Sequence, residues 1–209
     1  MTNLLLSWAV SAHISAKAES DERTTLLELE INSGKANRAK VNQNPVRSQK
    51  ELLGLVKSIC FSPEDLDLVR GDPSERRSFL DQLLIQRSPR LAGVISDYER
   101  ALKQRNSLLK SRAPEPSLRS WNEHLATFGG EVIAGRIKLI NEVEPFFQVA
   151  YKNLSAKKRA KLGYKSSIPK PSIEKDINRE LILKTIEEVK YQEAERGISL
   201  VGHIATTFS

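Results

Sequence analysis

Arg76 and Arg77 are the residues of this chain whose types and position most favour a chemical role. The preceding Asp72 and Pro73 predict the N-cap and the first position of a helix, which places both guanidinium groups near the positive end of the backbone dipole. A cation is disfavoured there by a few tenths of a kcal/mol to about 1 kcal/mol, so a neighbouring anion is expected to compensate it. Two interpretations stay open for that anion: a carboxylate of the protein, or a phosphate group of DNA or of a nucleotide.

The carboxylates nearest in sequence belong to the same predicted helix. Glu75 has the reciprocal capping-box spacing from Asp72, and Asp81 lies one turn after Arg77, where the two can pair. Apolar residues at helical spacing predict the face that this helix buries: Phe79, Leu80, Leu83 and Leu84.

Basic residues are concentrated in two stretches that contain no acid, in a chain with a formal net charge of +7. One stretch lies between Glu30 and Glu51, and the other between Glu144 and Glu174. Such stretches supply the phosphate contacts of non-specific DNA binding, and simple solvated loops are an equally open interpretation. The candidates for DNA binding are Lys35, Arg38, Lys40, Lys157, Lys158, Arg159 and Lys161.

The sequence predicts no site for phosphate transfer, metal binding or covalent catalysis. A phosphate-binding loop needs closely spaced glycines followed by Lys and Ser or Thr. Gly130 to Gly135, predicted inside a helix, and Gly197 to Gly202, predicted along a strand, both lack that pair. Cys60 is the only cysteine and lies in an apolar run, so buried packing is expected and an internal disulfide is excluded. The histidines have no metal-ligand spacing: His13, His124 and His203.

The composition is typical of a globular protein, with 39% hydrophobic and 28% charged residues among 209. This length allows one large or two small domains. The apolar run from Leu4 to Val10 is too short to span a membrane and lacks the pattern of a signal peptide. A cytoplasmic protein without membrane association is therefore expected.

Alternating apolar and polar residues predict β-strands in the first third of the chain. Strands near residues 10–16 and 27–31 are expected to form an antiparallel hairpin with its turn at Glu19 to Arg23. A second turn at residues 32–35 leads to a third strand that ends at Val41.

Short elements are predicted between this sheet and the arginine-bearing helix. A helix at residues 48–55 precedes a buried strand at residues 56–61. Another short helix begins with Pro63 and Glu64, which suit a first turn, and ends at Gly71.

Helices dominate the rest of the sequence. A helix at residues 89–110 is followed, after Pro114 and Pro116, by a long helix that Pro145 is expected to kink or end. A strand at residues 161–168 and a helix at residues 173–196 come next, with Gly197 ending the helix. A returning buried strand is predicted from its apolar residues: Ile198, Leu200 and Val201.

Several segments resemble the RecF family, the bacterial DNA gap-repair ATPases related to the heads of SMC proteins. The family signature corresponds to PEDLDLVRGDPSERRSFLD. The resemblance continues in the same order through ELEINSGKANRAKVNQNPVRS, LLGLVKSICFSPEDLDLVRG, DYERALKQRNSLLK and ERGISLVG, and covers most of the chain from about Val10 to Gly202. The signature positions that match are Pro63, Glu64, Gly71, Asp72, Pro73, Arg76, Arg77, Phe79, Leu80 and Asp81.

This resemblance implies an α/β fold, a partial ABC/SMC-like ATPase head with an N-terminal antiparallel β segment and a helical lobe. Residues 1–71 are then the remnant of the nucleotide-binding lobe, and residues 72–196 are the helical lobe, with a basic segment at 152–170. Residues 197–209 begin the return to the nucleotide-binding lobe and have a divergent tail.

The resemblance also implies a function in DNA replication and repair, within the DNA damage and SOS responses. The family binds ATP with Mg and single-stranded or gapped DNA, works with RecO and RecR to load RecA, and clamps DNA as an ATP-dependent homodimer. The family's P-loop, ABC signature and Walker B segments find no counterpart at the ends of this sequence. A frameshift, a truncated gene and a misplaced boundary are open explanations. No ATP hydrolysis and no cofactor are expected for this chain alone, and a non-enzymatic DNA-binding or interaction module and a non-functional remnant stay open as alternatives.

Overall fold

A computed structural model describes residues 10–20, 23–56, 68, 71–154, 160–202 and 205–208 of the chain. It contains two compact units, an N-terminal sheet unit that ends at Cys60 and a C-terminal helical unit that begins at Phe61. Within these described ranges, no helix is long and apolar enough to cross a membrane. The antiparallel sheet and the helices agree with the predicted α/β class.

The sheet unit is an antiparallel meander in the order β1-β2-β3-β4. Its strands are β1 (Ser11–Ser20), β2 (Arg23–Asn32), β3 (Arg38–Val41) and β4 (Asn44–Pro45). Ser20 faces Arg23 across the first hairpin, so the predicted hairpin is confirmed. A 3-10 helix (Gln49–Leu52) stands where a helix at residues 48–55 was predicted.

The register of β1 and β2 separates an apolar face of the sheet from a polar one. Ala12 faces Ile31 and Ile14 faces Leu29 across the two strands. Side chains alternate between the two faces of a strand, so these four residues lie on the same face of the sheet. Ile31 is 4% exposed, and Ala39 on β3 is likewise buried. The opposite face carries charged and polar residues, so the alternation seen in the sequence has the predicted structural meaning.

The helical unit contains, in its described part, α1 (Pro73–Arg87), α2 (Leu91–Lys110), α3 (Glu115–Leu154) and α4 (Lys175–Arg196). The helix α3 is 40 residues long and packs against α1, α2 and α4. It continues through Pro145, so this proline does not end it. Apolar residues from all four helices form the core together with Ile168 and Val201.

Two short strands, β5 (Leu162–Lys165) and β6 (Ala205–Phe208), pair antiparallel. The strand predicted at residues 198–201 is wrong, because these residues form bends after Gly197, which ends α4 in the left-handed conformation with φ 65°. Their backbone is held by side chains of α2 and α4, as described below, and not by a neighbouring strand. The strand instead lies in the tail that diverges from the family pattern.

Several predictions concern residues outside the described ranges. These include most of the strand at 56–61 and of the short helix at 63–71, of which Val56, Leu68 and Gly71 are described. The remaining residues singled out in the sequence analysis that lie outside are Cys60, Pro63, Glu64, Lys157, Lys158, Arg159 and His203.

Candidate functional site

The start of α1 has the capping geometry that the sequence predicts. The carboxylate of Asp72 accepts a hydrogen bond from the backbone N–H of Ser74 at 2.7 Å. Pro73 occupies the first helical position, where no N–H is needed. The bond from the Ser74 backbone, with a contribution from the Ser74 side chain, holds the pKa of Asp72 below its ordinary value of 3.8.

Arg76 reaches back from α1 toward the preceding segment. Its Nη1 donates to the backbone oxygens of Leu68 at 3.3 Å and Gly71 at 3.1 Å. Carbonyl oxygens carry partial negative charge, so they partly compensate the charge of the Arg76 guanidinium. From the sequence, only a carboxylate or a phosphate was expected in this role. The arginine thereby ties the chain before Gly71 to the beginning of α1.

Asp81 is held by Arg136, a residue of α3 that the sequence analysis did not single out. The pair is bidentate, with Nε to Oδ1 at 2.8 Å and Nη2 to Oδ2 at 2.7 Å. Burial lowers the pKa of the Arg136 guanidinium, but the hydrogen bond and the charge of Asp81 outweigh this effect and raise it. Arg136 is only 3% exposed. In the sequence, Arg136 lies between the apolar pairs Val132-Ile133 and Leu139-Ile140 of α3. A charged residue in such a position is the signal that it has a partner within the core.

A cleft of about 530 Å³ lies beside this pair, between α1 and α2. Tyr98 of α2 donates from its hydroxyl to the backbone oxygen of Gly202 at 2.5 Å. Burial raises the pKa of Tyr98, so its hydroxyl stays protonated and remains a donor at neutral pH. The residues that give the cleft its mixed polarity are Ser74, Arg77, Ser78, Asp81, Glu99 and Arg136. Because both signs of charge line it, the cleft does not select an anion.

The helix α2 buries a second arginine at its centre. Arg105 is 1% exposed and donates from Nη2 to Oε2 of Glu193 at 2.5 Å and from Nη1 to Oε1 at 3.1 Å. Its Nε donates to Oδ1 of Asn122 at 2.6 Å, and Nη1 also donates to the hydroxyl of Ser199 at 2.7 Å. These bonds join α2, α3 and α4 with the segment that follows α4.

Glu193 organises the bends that follow α4. Its Oε1 accepts hydrogen bonds from the backbone N–H of Leu200 at 2.6 Å and of Val201 at 3.3 Å. Asn106 accepts another from the backbone N–H of Ser199 at 2.7 Å. The backbone that was predicted to pair as a strand is therefore satisfied by side chains of α2 and α4. Sequence analysis missed both Arg105 and Glu193, although Arg105 lies on the apolar face of α2.

The basic candidates on the sheet unit face acidic residues. In the register of β2 and β3, Lys40 lies opposite Glu28 and Arg38 lies opposite Glu30. Residues directly opposite across antiparallel strands are neighbours on one face, so the acid-free stretch of sequence is not an acid-free surface. Lys35 lies in the exposed loop before β3.

Lys161 is the member of the second basic group that the structure describes, and it is exposed. It immediately precedes β5, whose Leu162 N–H donates to Oε2 of Glu144 at 2.8 Å. The oxygen of Ala160 accepts from the side chain of Gln148. The chain before β5 is thus attached to the C-terminal part of α3.

Neither glycine-rich segment forms a phosphate-binding loop. Gly130 to Gly135 lies within α3, and Gly197 is the C-cap of α4. In the part of the chain that the structure describes, no group of His, Cys, Asp and Glu is arranged to hold a metal ion. His124 contacts the rings of Trp121 and Phe128, with centroids 5.5 and 6.1 Å away.

Replacing Asp72 with alanine is expected to lower the melting temperature of the helical unit at neutral pH, because the cap of α1 is lost. A folded-state pKa below 3.8 means that the carboxylate stabilises the fold above that pH and loses this effect as the pH falls through the folded value. The difference in melting temperature between the two proteins should therefore shrink below about pH 4, as measured by circular dichroism. Asp72→Asn, which keeps the acceptor, is the control, and a difference that is independent of pH would contradict this role.

Comparisons with known proteins give the family. No protein-family model matches the chain. The DNA replication and repair protein RecF of Streptomyces avermitilis is 44% identical over 93% of the chain, and that of Kineococcus radiotolerans is 42% identical over 95%. The chain spans only 55% and 56% of the lengths of these two relatives.

Solved structures show the same fold. The structure of the recombination mediator protein RecF-ATPrS in the RecFOR pathway aligns with all of the chain at a TM-score of 0.91 and 21% identity. A structure of RecF-ATP in the same pathway aligns at 0.89 and 22% identity. The chain covers 58% of each of these structures. The predicted resemblance is confirmed, and the chain belongs to the RecF family as a partial RecF sequence.

Proposed function

We propose that this chain is the DNA-binding part of a RecF-type DNA replication and repair protein. The observation that carries the proposal is the identity of 42–44% to two proteins of that name over more than nine-tenths of the chain. The net charge of +7 supports it, because a basic protein accumulates at the phosphate backbone of DNA. The chain's own residues would hold DNA by phosphate contacts without base specificity.

The structure gives the two basic groups different weight in this proposal. Arg38 and Lys40 face Glu30 and Glu28, which reduces the net field that a phosphate would meet. Lys161 and Lys165 are exposed and neither forms an ion pair with a described residue, although Glu144 lies nearby and accepts from Leu162 N–H. We therefore assign the stronger DNA contact to the residues around β5.

The double charge reversal Lys161→Glu with Lys165→Glu is expected to weaken binding of a gapped DNA duplex about tenfold or more at moderate salt. Each phosphate contact that is lost means that fewer counterions are released from the DNA when the protein binds. Fluorescence anisotropy over a series of salt concentrations measures both the affinity and its slope. The wild-type slope on a log-log scale should be about −0.9 for each phosphate contacted on duplex DNA, and shallower in the variant.

Two variants make this experiment specific. Lys184→Glu changes the same charge at an exposed position of α4, where the lysine lies 4.0 Å from Glu188, and should cost much less affinity. Arg38→Glu with Lys40→Glu should fall between the two. A wild-type affinity that does not respond to salt would reject DNA binding and favour the alternative of a protein-interaction module.

The finer parts of the proposal come from the family. We propose that the complete protein uses ATP with Mg, dimerises on DNA, prefers single-stranded or gapped DNA, and acts with RecO and RecR in the cytoplasm. The ATP-containing structures and their placement in the RecFOR pathway support this. Residues 1–71 would then belong to the nucleotide-binding lobe and residues 72–196 to the helical lobe. Residues 197–209 would begin the return.

A further inference from the structure

The C-terminal part of α3 exposes a band of apolar and aromatic side chains. Phe146 is 76% exposed and Leu154 is 86% exposed, which is unusual for large apolar residues of a helix. At 3.6 residues per turn, Phe147, Ala150 and Tyr151 lie between or beside them on the same side of the helix. The rings of Phe147 and Tyr151 stack, with centroids 5.9 Å apart and planes inclined by 29°. We call these five residues the aromatic band.

A basic residue, Lys161, borders this band. Ala160 and Leu162 are bonded to Gln148 and Glu144, which places the chain carrying Lys161 along one edge of the band.

The acidic residues of this part of α3 bond to groups other than Lys161. Glu142 forms an ion pair with Arg87 of α1. Glu144 accepts hydrogen bonds from both Leu162 N–H and the Gln148 side chain. Lys161 forms no ion pair with a described residue, so its ammonium group is available to an anionic ligand.

The strand β5 adds a further exposed cation. Leu162 and Tyr164 pack against the core, so Lys165 projects from the opposite face of the strand. Burial raises the pKa of Tyr164 to about 12, consistent with a ring directed inward. Unpaired nucleic acid is bound by a combination of exposed aromatic rings and nearby positive charge. The lysines here have no acidic neighbours in sequence.

We propose that the aromatic band stacks with bases of single-stranded DNA while Lys161 and Lys165 contact its phosphates. This inference rests on the proposed DNA-binding function and adds the residues that recognise unpaired bases. Bases within a duplex already stack on one another, so only unpaired bases offer a free π-face to Phe146. The positive charge beside the band favours this polyanion over an apolar partner surface.

The test compares two fluorescent strands of equal length and charge, an oligothymidylate and a strand whose sites are all abasic. The wild-type chain should bind the oligothymidylate about fivefold or more tightly than the abasic strand, the lower end of the effect of one stacked base. Phe146→Ala should remove most of that preference and leave affinity for the abasic strand unchanged. Circular dichroism should show an unaltered fold, because the side chain is largely exposed.

Three further variants separate stacking from other roles. Phe146→Trp should preserve the base preference, whereas Phe146→Leu, which keeps apolar area without a ring, should lose it. A base preference that survives in Phe146→Leu would show that apolar contact and not ring stacking carries it, and would overturn the proposal. Tyr191→Ala removes an aromatic residue that is 79% exposed on α4, beside Lys190, and should leave the preference intact.

The outcomes distinguish this inference from the proposed function. Salt-dependent binding with equal affinity for the two strands would overturn the stacking role and leave DNA binding in place. A base preference that survives Phe146→Ala would also overturn it. Failure to bind duplex, oligothymidylate and abasic strand alike would overturn both proposals.

Discussion

Replacing Glu193 with leucine is expected to lower the free energy of unfolding of the helical unit by about 3–5 kcal/mol. Arg105 is 1% exposed and Glu193 is fully buried, so the substitution leaves a guanidinium group without its counter-charge. It also removes the acceptor for the backbone N–H groups of Leu200 and Val201. Urea unfolding followed by circular dichroism measures the loss, and hydrogen exchange should show faster exchange of these two amides.

The double variant Arg105→Met with Glu193→Leu is the matched control for this pair. Removing both charges avoids the uncompensated ion, so a substantial part of the stability should return. The faster exchange at Leu200 and Val201 should persist, because their acceptor is still missing. A single variant that costs less than about 1 kcal/mol would show that water or another group compensates Arg105.

Replacing Gly130 with alanine is expected to destabilise the helical unit by at least about 1–3 kcal/mol, the usual cost of overpacking. A Cβ at this position would lie 2.5 Å from the backbone oxygen of Lys175 and 3.0 Å from the backbone nitrogen of Arg179. Both atoms belong to α4, which cannot yield as a flexible side chain does. The movement of α4 should also strain the bond from Asn178 to the oxygen of Gly130. Thermal unfolding of the two proteins measures the effect.

Gly93→Ala in α2 is the control for this substitution. No atom lies within 4 Å of the Cβ that alanine would add there, and alanine is the better helix former. This variant should therefore be more stable than the wild type by about 0.5–1 kcal/mol. Equal destabilisation by the two substitutions would mean that close packing of α3 and α4 is not the cause.

The elements of this fold were largely predictable because their signals are local. The alternation along β1 and β2 predicted a hairpin, and Asp72 and Pro73 predicted the start of α1. Gly197 likewise predicted the end of α4. Each of these signals depends on backbone conformations and hydrogen bonds within a few residues, which neighbouring side chains largely determine.

The partners of the charged residues were not predictable in the same way. The spacing allowed Asp81 to pair with Arg77, one turn away, but it did not reveal that Arg136, far along the chain, holds Asp81. Residues 198–201 looked like a strand because three of them are apolar, yet Glu193 accepts hydrogen bonds from the N–H groups of Leu200 and Val201. A sequence shows that a charge lies on an apolar face but not which charge meets it.

The sequence by itself determined the family, the hairpin of β1 and β2, the order of the four helices α1 to α4, and the residues that begin α1 and end α4. The tertiary structure alone decided that Lys40 and Arg38 face acids on β2, that Lys161 lies beside an exposed aromatic band, and which buried ions pair. The reason is physical: capping and periodicity act between residues close in sequence. Charge compensation and exposure depend on which distant segments the packed core brings together.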